Sequence, residues 1–86
     1  MAERMAVLRE AKPCTSKDIE LWAYGNLAGM RVSEESVRKA LAGQIDPAQC
    51  SLELLMALAA FFGTGPDGLG AVAERRLRPV FAFATS

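Results

Sequence analysis

Three hydroxyl side chains decide where this chain can be helical. Thr15, Ser33 and Ser51 each stand directly before a run of helix-forming residues. Each is a residue type whose oxygen accepts from a free backbone N–H of a first helical turn. The clearest case is Val32 to Gly43. Ser33 is the cap, and Glu34 and Glu35 follow it against the positive end of the helix dipole. Val32 before the cap and Val37 after it have the spacing of a hydrophobic staple. Gly43 supplies the left-handed residue that ends many helices. Val37, Ala40 and Leu41 share the inner face of this helix. Glu35, Lys39 and Ala42 point the opposite way, with Ser36 and Arg38 on the flanks.

The remaining elements follow from the same signals. Ala2 to Ala11 reads as a first helix, with Met1, Met5 and Leu8 at helical spacing and Pro13 beyond its end. Thr15 opens a second, with Asp18 at the capping-box position. Its inward stripe is Ile19, Trp22, Ala23 and Leu27; Gly25 and Asn26 weaken it and Gly29 terminates it. Gln44 to Gln49 is a loop turning at Asp46-Pro47. Ser51 caps a fourth helix, Leu52 to Phe62, whose apolar residues fall into two faces. One is Leu52, Leu55, Met56, Ala59 and Phe62. The other, Leu54, Leu58 and Phe61, is a candidate for a dimer or partner contact, because a helix apolar nearly all round is either central or shared. A fifth helix is expected from Asp67 to about Leu77. Pro79 then separates a domain over 1–78 from an apolar tail over 79–86, in which Val80, Phe81 and Phe83 are further candidates for contact with a second copy or a protein partner.

Composition narrows the function. The chain has 86 residues, of which 51% are apolar, enough for one small folded domain. No apolar run approaches the roughly 20 residues that span a bilayer, and no signal-type block follows the N-terminus. A cytoplasmic protein with no membrane contact is expected. The 10 basic residues balance the 10 acidic ones, and there is no His. A neutral chain does not favour DNA, whose phosphates supply most non-specific affinity, unless its basic residues segregate on one face. Without His, with no glycine-rich phosphate loop and no clustered metal-binding carboxylates, catalysis is not indicated, and neither a cofactor nor a metal is expected.

Cys14 precedes the Thr15 cap and Cys50 the Ser51 cap, with Ile19 and Leu55 at the fourth helical positions. Both cysteines thus occupy staple positions as small hydrophobes; the alternative is a disulfide or redox pair, for which the two helix starts must lie close together.

The order of these elements resembles the XRE (Cro/C1-type) helix-turn-helix family, and within it the DNA-binding part of the EspR-like regulators of actinobacteria. The likeness runs from about Thr15 to Leu69. Val32, Ser33, Val37 and Gly43 match the family's recognition-helix pattern, and Ser51 to Leu69 is similar to its Leu-Ala, Phe-Gly, Asp-x-Leu ending. The resemblance implies an all-α, five-helix Cro/repressor-like fold, with double-stranded DNA and a second copy of the chain as partners. Carried over by position, Glu34, Glu35, Ser36 and Lys39 would read bases in the major groove. Thr15, Ser16, Lys17, Arg31, Arg38, Gln49 and Ser51 would hold phosphates. The helix starts among these suit anions for a reason independent of the family, their unpaired N–H groups and dipole. Two of the base-reading positions are Glu, which accept from a cytosine amine but are repelled by phosphate. Ala40 and Leu41 replace the family's usual Leu and the Glu that often follows it. Glu34–Arg38 and Glu35–Lys39 have the favourable helical pairing, each worth about 0.2–0.5 kcal/mol, so this face also reads as ordinary solvated surface. Arg75, Arg76 and Arg78 form the densest basic cluster, either a flanking DNA clamp or a solvated helix end. Tyr24 is either a hydroxyl contact to phosphate or a half-buried rim residue.

Two classes of function therefore stand side by side. One is a sequence-specific regulator that binds DNA as a homodimer. The other is a protein-interaction module on the same scaffold, of the antitoxin, anti-repressor or polymerase-adaptor type.

Overall fold

The computed structural model describes residues 2–64 and 66–85, and the side chains of 3–64 and 68–79. Among the described residues the chain is all-α, with five helices: α1 (Ala2–Ala11), α2 (Ser16–Asn26), α3 (Glu34–Leu41), α4 (Leu52–Phe61) and α5 (Ala71–Thr85), and a 3₁₀ turn over Pro66–Leu69. No strand occurs among the described residues.

Each of the three hydroxyl caps forms its bond. Thr15 Oγ1 accepts from the Asp18 N–H, and an Asp18 carboxylate oxygen accepts from the Thr15 N–H, closing a capping box. Ser33 Oγ accepts from the Ser36 N–H at 3.1 Å, and Ser51 Oγ from the Leu54 N–H at 3.2 Å. At the other end of α3, Gly43 (φ 73°) donates to Ala40 O and Gln44 donates to Lys39 O. That is a Schellman ending, and it fixes where α3 stops. The Asp46 turn forms as expected: Asp46 Oδ1 accepts from Ala48 N–H at 2.9 Å.

One core joins every element. Met5 (α1), Ile19 (α2), Val37 (α3), Leu55 and Leu58 (α4), Leu69 (3₁₀ turn) and Leu77 (α5) are all fully buried. The radius of gyration, 11.7 Å, matches the roughly 12 Å of a compact chain of this length. Each such side chain contributes about 1.5–3 kcal/mol through burial, so the core is spread over all the helices instead of resting on one pair. Trp22 meets Phe61 edge-to-face, with ring centroids 5.5 Å apart, and Phe61 meets Phe62 in the same way at 5.1 Å. Cys50 is buried in the core, Cys14 packs at its margin, and both are free thiols. Burial is the main cause that pushes both thiols above their ordinary range, which suits packing and disfavours thiolate chemistry.

Three expectations need correction. Leu54, Leu58 and Phe61 do not form an outward apolar face: they are 2%, 0% and 7% exposed. α4 lies against both α2 and α5, so its second face is consumed inside the subunit. The expected helix from Asp67 does not start there. Gly70 adopts φ 111°, outside the helical region, and separates the 3₁₀ turn from α5. Gly68 is required in that turn, since a Cβ there would stand 1.4 Å from Thr64 Oγ1. Lastly, Pro79 lies inside α5, which continues to Thr85. Proline removes one helical N–H, but Pro79 and Arg75, whose carbonyl loses that partner, are both exposed, so water can take the donor's place. The side chains of Val80, Phe81 and Phe83, and that of Met1, lie outside the described residues.

Arg76 differs from its neighbours. Its guanidinium donates to Pro47 O at 2.9 Å and also to Cys50 O, tying α5 to the loop before α4. Hydrogen bonds from a charged donor contribute about 1.5–3 kcal/mol. Arg76→Met is expected to lower the melting temperature by roughly 6–20 °C for a domain of this size, measured by circular dichroism. Arg75→Met, at an exposed position, should stay within a few degrees of the parent.

Candidate nucleic-acid interface

α3 is oriented by its inner face. Val37 and Ala40 are fully buried and Leu41 nearly so, and α3 packs on α2 and α1. The outer face therefore points away from the core: Glu34, Glu35, Arg38 and Lys39 are all exposed. This ridge is acidic in its first turn and basic in its last, the arrangement that complements the helix dipole.

Lys39 Nζ lies 3.5 Å from Glu35 Oε1, as the spacing predicts. Glu34 and Arg38 do not form the second expected pair among the described residues. Both are solvated, and an exposed pair gains too little to hold two long side chains in one geometry. Ser36 behaves unlike the other three base-reading candidates. It is half-buried, its N–H bonds to Ser33 Oγ, and its hydroxyl accepts from the Ser33 hydroxyl at 2.8 Å.

Ser36 instead lines a cleft of about 410 Å³ between the starts of α3 and α4. Arg31, Ser33, Ser51 and Glu53 share that cleft. Three residues assigned from sequence to DNA, Arg31, Ser36 and Ser51, are thus brought together, with Ser33 and Glu53 added. The Arg31 guanidinium also lies 5.4 Å from the Tyr24 ring centroid, and Tyr24 is 55% exposed, more than the half-buried rim position allowed for it. Gln49 is exposed, and its N–H donates to Asp46 O at 2.9 Å, within the loop that Arg76 anchors. Of the basic cluster, Arg76 is committed internally and Arg78 pairs with Glu74. Arg75 remains exposed at the lip of α5.

The start of α2 is partly occupied by its own neighbours. Thr15 and Lys17 are exposed and Ser16 is half-buried. Lys17 Nζ donates to Glu20 Oε1 at 2.8 Å, and Glu20 Oε2 accepts from the Glu34 backbone N–H at 2.9 Å. A single carboxylate therefore joins the first turn of α2 to the first amide of α3. The i,i+3 spacing marks only the pairing of Glu20 with Lys17; the link to Glu34 spans 14 residues and leaves no local signature.

The hydrogen bond from Lys17 is the largest influence on the Glu20 carboxyl and holds it below its ordinary 4.5; desolvation opposes this, and the Glu34 N–H adds to the lowering. A carboxyl depressed by folding stabilises the fold above its unfolded value and loses that contribution as pH falls through its folded value. The gap in melting temperature between the parent and Glu20→Gln is therefore expected at neutral pH and should close in acid, below the depressed pKa of Glu20. A gap unchanged by acidification would contradict the link.

No family model, curated protein or solved structure matches the chain. Among the described residues no group of His, Cys, Asp or Glu is placed to hold a metal ion, and no helix is long and apolar enough to cross a membrane.

Proposed function

We propose that this chain is a sequence-specific DNA-binding regulator of the XRE type that acts as a homodimer, with α3 in the major groove. One observation carries the reading: a short, capped helix seats its apolar face in the core and leaves Glu34, Glu35, Arg38 and Lys39 exposed on the outside. Arg31 and the α4 start stand beside it at one cleft, where a phosphate flanking the groove would lie. Lys39 and Arg38 take phosphate or guanine, and Glu34 or Glu35 accepts from a cytosine amine. Two copies pair through the end of α5, including Val80, Phe81 and Phe83, and the operator is then an inverted repeat with half-sites about one turn apart. Such a protein works in the cytoplasm, at the nucleoid.

The test is fluorescence anisotropy of a labelled random-sequence duplex at about 50 and 200 mM salt. Binding at low salt that weakens steeply at high salt supports the reading. No binding at low salt rejects it.

The second reading, an interaction module of the antitoxin, anti-repressor or polymerase-adaptor type, has its own support. A groove of about 570 Å³ is lined by Glu20, Leu21, Tyr24, Met30 and Arg31. Leu21 is 59% exposed, and contiguous exposed apolar surface marks contact sites. A co-purifying protein together with no duplex affinity favours it.

A further inference from the structure

We propose that Glu20 sets the strength of nucleic-acid binding by acting as an internal competitor for the DNA phosphate. The inference rests on the DNA-binding reading above. Lys17 is a phosphate position in that reading and the Glu34 N–H opens α3; one carboxylate holds both Lys17 Nζ and that N–H, at 2.8 and 2.9 Å. The contact joins side chains and backbone of two different helices, so it is not the ordinary cap of one of them. The α3 cap is already supplied by the Ser33 hydroxyl; Glu20 is a second acceptor, an anionic one, added from outside.

An incoming phosphate gains little at this point while the carboxylate stays. It exchanges one charge-assisted hydrogen bond for another of similar strength, and it meets Glu20 beside Glu34 and Glu35, three negative groups at one tip. Glu20 therefore lowers the affinity for any duplex that brings a phosphate to this point, in a chain whose net charge is zero.

Three variants separate this from bulk charge. Glu20→Gln removes the competing anion. Glu10→Gln removes the same charge from an exposed position on α1. Glu20→Asp keeps the charge but shortens the side chain by one methylene, so that it no longer reaches both partners. Anisotropy with random duplex at low salt is the readout, on chains whose circular dichroism matches the parent. Glu20→Gln is expected to bind about three- to tenfold more tightly than Glu10→Gln, with a salt slope steeper by about one as Lys17 becomes available. Glu20→Asp should also bind more tightly than the parent, and it keeps the test valid if Glu20→Gln does not fold. Parent binding with Glu20→Gln equal to Glu10→Gln, or Glu20→Asp equal to the parent, overturns the inference alone. Failure of the parent and all variants to bind any duplex removes the DNA reading and the inference with it.

Discussion

Val37→Asp is expected to leave the chain unfolded at room temperature, with no cooperative melting transition in circular dichroism. Val37 is fully buried at the centre of the α3 inner face. The substitution forfeits about 1.5–3 kcal/mol of apolar burial. It also places a carboxyl where no partner has been built. Keeping that group neutral at pH 7 requires its pKa to rise by roughly three units, about 4 kcal/mol at 1.36 kcal/mol per unit. Domains of this length are stable by about 4–13 kcal/mol, and a single small core lies toward the lower end, where the sum of about 5.5–7 kcal/mol matches or exceeds it. Val37→Ala, which opens a small cavity without a charge, should remain folded with a lower melting temperature. A native-like melt for Val37→Asp would mean that α3 does not seat in the core as described.

The second large effect concerns binding. Arg38→Ala combined with Lys39→Ala is expected to weaken duplex affinity about a hundredfold while the melting temperature stays within a few degrees of the parent. Both side chains are exposed, and among the described residues the only ion pair they make is the 3.5 Å contact of Lys39 with Glu35. An exposed pair of this kind contributes at most about 1 kcal/mol. Each lost contact to phosphate or guanine costs about 1–3 kcal/mol of complex stability. The effect should therefore fall on the complex and not on the fold. If the double variant binds as the parent does while Arg75→Ala abolishes binding, the DNA face lies on α5 and not on α3.

Much of the fold was legible because its signals are local. A cap and the amide it bonds lie three residues apart, and the Gly43 ending needs only the residues around it. The starts of α2, α3 and α4, and the Asp46 turn, all follow from such short-range chemistry. What the sequence did not reveal depends on side chains reaching across the core. Lys12 Nζ donates to Phe61 O at 2.6 Å and lies 4.1 Å from the centroid of that ring, closing the end of α4 from 49 residues away. Arg76 holds the loop before α4 in a similar manner, although its neighbours read together as one basic patch. The second face of α4 was misread for a related reason. Periodicity reports that a face is apolar, but not whether the covering surface comes from the same chain, and here α2 and α5 supply it.

The candidate site divides along the same line. The outer residues of α3 could be placed from a helical wheel, and Glu34, Glu35, Arg38 and Lys39 stand where it puts them. Ser36 could not, because its hydroxyl is captured by the cap residue that precedes it. The role of Glu20 was not legible, since its second partner, the Glu34 N–H, lies in another helix 14 residues away.

The measurement that bears most directly on the central claim is a nitrogen-15 chemical-shift titration of the full chain with a duplex of about two turns at low salt. The largest changes are expected at the amides of α3 from Glu34 to Lys39, with a second group at the starts of α2 and α4, and little change along α1. Changes concentrated on α1 or α5, or confined to the Leu21–Tyr24 groove, would contradict the assignment of α3 to the DNA.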